Sequence, residues 1–122
     1  MKTAIIIFMF LCLGCSTVPD NTEAWVTFHK NACLPTAIIY KKILQKQDIW
    51  SKVMVYKVDN QPIGHAVTVF LYPPGKNQLW TYDWEGAYRV RAYKDATYEI
   101  AKQTEKERYR SGDQISYAYY ID

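Results

Sequence analysis

Three side chains of the kind that make and break acyl bonds occur in order along this chain: Cys33, His65 and Asp83. Cys33 lies in Asn31-Ala32-Cys33-Leu34-Pro35-Thr36-Ala37, a thiol directly ahead of a proline-started helical pattern. His65 opens a β-type run in Gly64-His65-Ala66-Val67, and Asp83 closes another in Tyr82-Asp83-Trp84. A thiol that attacks, an imidazole that takes and returns its proton, and a carboxylate that orients the imidazole are the parts of a nucleophilic cysteine site. The expected chemistry is acyl transfer at a peptide or amide carbonyl, to water or to an amine.

The elements around these residues explain how they would be brought to work. Pro35 is tolerated in a first helical turn and nowhere deeper, and Ala37, Tyr40, Ile43 and Leu44 recur at helical spacing, so a helix is predicted over 33–47 with Cys33 at its start. The first turn leaves backbone N–H groups unpaired and carries the positive end of the helix dipole. Both suit a thiolate, and the same N–H groups can receive the oxyanion formed when a carbonyl is attacked. His65 and Asp83 belong to two predicted strands, 63–72 and 78–84, joined by Pro73-Pro74-Gly75-Lys76-Asn77. One hairpin register sets His65 opposite Asp83 and another sets Val67 opposite Asp83. In both, the two side chains share a face, roughly 5 to 8 Å apart. The register between them would separate the faces.

The remaining chain supplies the frame. Val53, Val55 and Val58 mark a first strand, followed by a turn at Asp59-Asn60-Gln61-Pro62. After Glu85-Gly86 comes a strand over 87–93, and Gly112-Asp113 leads into a last aromatic strand, 115–121. Residues 95–108 read as a charged, weakly amphipathic helix with Ala96, Ile100 and Thr104 inward and its Lys/Glu mixture solvated. The stretch 22–30 fits a helix or a strand equally. The expected fold class is α+β: the helix bearing Cys33 packed on an antiparallel sheet of four or five strands, with a late helix.

At the start of the chain, Lys2 and the apolar run Ala4 to Leu13 have the layout of an export signal, with Gly14 the small residue before Cys15. The run is too short for the roughly 20 residues that span a bilayer as a helix. Leu11-Cys12-Leu13-Gly14-Cys15 resembles a bacterial lipoprotein signal. That resemblance implies cleavage after Gly14, lipid (palmitate included) on Cys15, and anchoring to the bacterial cell membrane. With Ser16 following, it points to the outer membrane where there are two. Residues 1–14 then read as signal, 15–21 as a lipidated tether and 22–122 as one domain, a length that supports a single core. A formal charge of +3 in 122 residues, with no Lys/Arg run, argues against a nucleic-acid partner. The 11 Tyr and 4 Trp suit a lined cleft or, more simply, a small aromatic core. With Cys12 in the signal and Cys15 lipidated, Cys33 has no disulfide partner, which is notable in an exported chain.

Together, Cys33-Leu34-Pro35-Thr36-Ala37, Gly64-His65-Ala66-Val67-Thr68-Val69 and Leu79-Trp80-Thr81-Tyr82-Asp83-Trp84 resemble the transglutaminase-like and papain-like cysteine enzymes over about 32–86. The resemblance implies Cys33 as nucleophile, His65 as general base and then acid, and Asp83 as the orienting carboxylate. Papain-like peptidases usually bring a Gln from upstream of the Cys to the oxyanion hole. Residues 15–32 contain none, which favours the transglutaminase-like branch and makes Asn31 and Trp25 the candidates for a second oxyanion donor. No cofactor is implied. A zinc site from Cys33, His65 and Asp83 with His29 or Glu85 lacks the usual close-spaced ligand pair. The expected partner is a peptide or protein substrate, and envelope location alone suggests peptidoglycan stem peptides. The rival from another class is a lipid-anchored binding or scaffolding module on the same fold, in which Cys33 is a small buried hydrophobe.

Overall fold

The computed structural model describes residues 33–83, 85–109 and 113–121. Among them the elements run α1 (Cys33–Gln45), β1 (Ser51–Val58), β2 (His65–Leu71), β3 (Leu79–Asp83), β4 (Gly86–Val90), α2 (Thr97–Tyr109) and β5 (Ile115–Ile121). The fold is α+β, as expected, and Cys33, the first described residue, lies in the first described turn of α1. The helix ends two residues earlier than the spacing suggested. Asp48 takes a left-handed φ of 62°, and the Ile49 N–H folds back onto the Leu44 carbonyl at 3.1 Å. This conformation is one that Asp tolerates better than most side chains, and it closes the helix end.

The strands form one antiparallel sheet in the order β4-β3-β2-β1-β5. β1 to β4 are the meander expected from the turns. β5 instead returns to the far edge and pairs with β1 after the chain has crossed under the sheet as α2. Each helix therefore covers a different face. Ala37, Tyr40 and Leu44 of α1 are all fully buried. They pack with Val53, Ala66, Phe70, Tyr72 and Tyr82, and the Thr68 hydroxyl donates to the Ala37 carbonyl at 2.8 Å. Ile100 and Ala101 of α2 pack on Met54, Tyr56, Val58, Val67, Val69 and Leu79 from the other side. Strand alternation sorts the two sets: Ala66, Thr68 and Phe70 face α1, while Val67 and Val69 face α2. Each fully buried Leu, Ile or Met in these layers contributes about 1.5–3 kcal/mol relative to exposure.

Most tyrosines of the first layer are core. Tyr40 stacks on Tyr82 at 3.9 Å between centroids and meets Phe70 edge-on at 5.7 Å. One expectation fails here. The charged face of α2 is not wholly solvated: Glu105 is 1% exposed and the Arg108 side chain is fully covered. Both follow the inward stripe that begins at Ile100 and Ala101, one and two turns further on.

Candidate functional site

The hairpin adopts a register in which Thr68 pairs with Tyr82 and Phe70 with Trp80. Continued by one residue, it sets Asp83 beside Val67 and diagonal to His65, so His65 and Asp83 share a face as expected. That face is the one covered by α2. His65 is paired directly with Tyr56, their rings 5.4 Å apart, and Tyr56 belongs to the core under α2. Cys33, at the start of α1, packs instead against Ala37, Val53 and Ala66 on the opposite face.

The three residues still meet around one space. A cavity of about 390 Å³ is lined by Cys33, His65 and Asp83 together with Tyr56, Gln61 and Gly64. It lies where β2 begins, and its lining draws on residues from both faces of the sheet. Gly64 sits at that end, and a Cβ there would come within 3.1 Å of the Tyr56 carbonyl and 3.2 Å of the Tyr117 hydroxyl. Any side chain at position 64 would therefore push into the neighbouring strand. Cys33 is a free, half-buried thiol at the first described position of α1. In the first described turn of the helix Cys33 and Leu34 carry N–H groups, while Pro35 has none to offer.

Asp83 is a buried carboxylate at the end of β3. It is 6% exposed, accepts from the Glu85 N–H at 2.7 Å, and is ion-paired with Arg108 of α2. The same guanidinium donates to the Gly86 carbonyl at 2.9 Å and lies 4.1 Å from the centroid of the Tyr88 ring. Burial raises the Asp83 carboxyl above its ordinary 3.8, against the opposing pull of Arg108 and of the Glu85 N–H.

A contact to the imidazole also comes from the turn between β1 and β2. Gln61 Oε1 lies 2.8 Å from His65 Nε2. The Gln61 amide in turn donates from Nε2 to Glu105 Oε2 at 3.4 Å, and the Tyr56 hydroxyl donates to Glu105 Oε1 at 3.0 Å. Gln61, Glu105 and Arg108 were not singled out from sequence. Gln61 reads there only as a turn residue, and Glu105 and Arg108 only as solvated charge. The signal that could have found the last two is their spacing: Ile100, Thr104 and Arg108, and likewise Ala101 and Glu105, fall at intervals of four on a helix whose first members must be buried.

The lipidation site Cys15 and the oxyanion candidates Trp25 and Asn31 lie outside the described residues, as does His29. Among the described residues, no group of three or more His, Cys, Asp or Glu side chains is placed to hold a metal ion. Likewise, no helix among them is long and apolar enough to cross a membrane. No protein-family model, curated protein or solved structure matches this chain.

Proposed function

We propose that this protein is a cysteine-dependent acyl-transfer enzyme acting on a peptide or amide bond, in the manner of the transglutaminase-like and papain-like enzymes it resembles in sequence. The observation that carries this reading is the single cavity shared by Cys33, His65 and Asp83, residues from three separate elements. The Cys33 sulfur attacks the substrate carbonyl as His65 takes the thiol proton. The tetrahedral oxyanion rests on the N–H groups at the start of α1. Collapse breaks the C–N bond, His65 returns the proton to the departing amine, and a thioester remains on Cys33. Water or a second amine, deprotonated by His65, then releases the acyl group and restores the thiol. The lipid anchor expected at Cys15 would place this chemistry at the bacterial cell envelope.

A second reading has an observation in its favour. Cys33 and His65 approach the cavity from opposite faces of the sheet, and Asp83 is already held by Arg108. A lipid-anchored binding module needs no closer approach than this. Alkylation of the full chain by iodoacetamide separates the two, with Cys33 followed by peptide mass spectrometry and Cys33→Ser as the blank. For the enzyme, His65→Ala slows labelling of Cys33 near neutral pH. Equal labelling of parent and His65→Ala across the pH range would leave the binding module as the better account.

A further inference from the structure

We propose that Gln61, itself held by Glu105, is the positioning residue that fixes His65 with its proton on Nε2 and makes Nδ1 the basic nitrogen. The use of that base toward Cys33 rests on the acyl-transfer reading, whereas the tautomer itself does not.

The chain of donors and acceptors leads to this in three steps. Both oxygens of the buried Glu105 face donors, the Tyr56 O–H at one and the Gln61 amide at the other. An amide that turns its NH₂ group toward a carboxylate must turn its carbonyl the other way. That carbonyl is Gln61 Oε1, 2.8 Å from His65 Nε2. An oxygen that only accepts, at that distance, requires a proton on Nε2, and a neutral imidazole with its proton there carries the lone pair on Nδ1. Each link is determined by the one before it, starting from a carboxyl that is 1% exposed.

The surroundings hold the chain in place. The Gln61 N–H donates to the Val58 carbonyl at 3.0 Å, which anchors the turn between β1 and β2. Tyr56 flanks the imidazole at an interplanar angle of 32° while its hydroxyl holds Glu105. One residue thus limits rotation of the ring and fixes the acceptor that orients Gln61. When Nδ1 takes a proton, Nε2–H keeps its acceptor, so the imidazolium is stabilised without rearrangement. Asp83 meanwhile stays with Arg108 at the cavity wall.

Long-range proton–nitrogen NMR of the full chain labelled with ¹⁵N-histidine tests this directly, with His65→Ala to separate His65 from His29. The expected spectrum of the neutral ring shows a single tautomer with the proton on Nε2. Gln61→Leu should lose that single form and give a mixture, and Gln61→Asn should restore it in part. Cys33 alkylation should slow several-fold in Gln61→Leu and no more than in His65→Ala. A parent ring protonated on Nδ1, or a tautomer unchanged by Gln61→Leu, would overturn the inference whatever Cys33 does. The parent spectrum can overturn the inference even if a variant fails to fold, and Gln61→Asn then carries the comparison. Should the tautomer behave as expected while neither variant alters alkylation, the assignment of Gln61 stands and the acyl-transfer reading fails.

Discussion

Under α1 the sheet buries rings: Tyr40, Phe70, Tyr72 and Tyr82 pack with Leu44 and Ile49. Under the last two turns of α2 it buries charge: Glu105 and Arg108 lie over Tyr56, Asp83 and Gln61. The first layer needs only shape and apolar area, and volume-conserving changes there are tolerated well. The second pairs most of the polar groups it removes from water, leaving Arg108 Nε without a hydrogen bond, so its members cannot be exchanged one at a time. A small domain gains little stability from buried ion pairs compared with well-packed apolar side chains. Their position beside the cavity points to what they do instead: they hold polar side chains in one orientation at the end of β2 where Cys33 also arrives.

The largest effect that would sharpen this contrast is expected at Arg108. Arg108→Met leaves the Asp83 carboxylate buried without its partner and should cost about 3–5 kcal/mol in urea unfolding. Adding Asp83→Asn should recover most of that loss, because both charges are then gone. A single-variant cost within about 0.5 kcal/mol would make the two layers energetically alike. Next in size is Leu44→Ala under α1, where a fully buried side chain leaves a cavity worth about 2–5 kcal/mol. In the folded fraction, labelling of Cys33 should keep its pH profile. A changed profile would show that the ring layer also positions the thiol.

The smallest expected effect is a pH dependence. The Asp83 carboxyl is raised above its ordinary 3.8, chiefly by burial. The folded state therefore holds this proton more tightly than the unfolded chain does. The resulting contribution to stability is complete below about 3.8 and is lost as pH rises through the higher folded value. Parent stability relative to Asp83→Asn should fall across that window, read by urea midpoints at successive pH values. A rise would mean that the attraction to Arg108 outweighs burial, and the second layer would then be a stabilising ion pair.

Particular residues show how far local pattern reached. Pro35 and the Ala37–Tyr40–Leu44 stripe placed α1 with Cys33 at its start, since a proline ring and a 3.6-residue period are local constraints. Strand alternation put His65 and Asp83 on one face in two of the three hairpin registers, and the structure adopts one of those two. Glu105 read as part of the solvated face of a helix, although its interval of four from Ala101 pointed inward. What the local pattern could not record was the partner: a charge is buried only when a distant element brings one, and the spacing of Arg108 carries no record of Asp83.

What the amino-acid order determined by itself was therefore the set of elements, the α+β class, and the presence of a thiol at a helix start with an imidazole and a carboxylate downstream. The face that each helix covers depended on the tertiary structure. A helix stripe states that it must be covered and is silent on which side of the sheet will cover it. That choice put α2 over His65 and Asp83 and α1, with Cys33, on the other side. It brought Arg108 to Asp83 and left Gln61, four residues before His65, to meet the imidazole, because a buried carboxylate pairs with whichever donor the packing delivers.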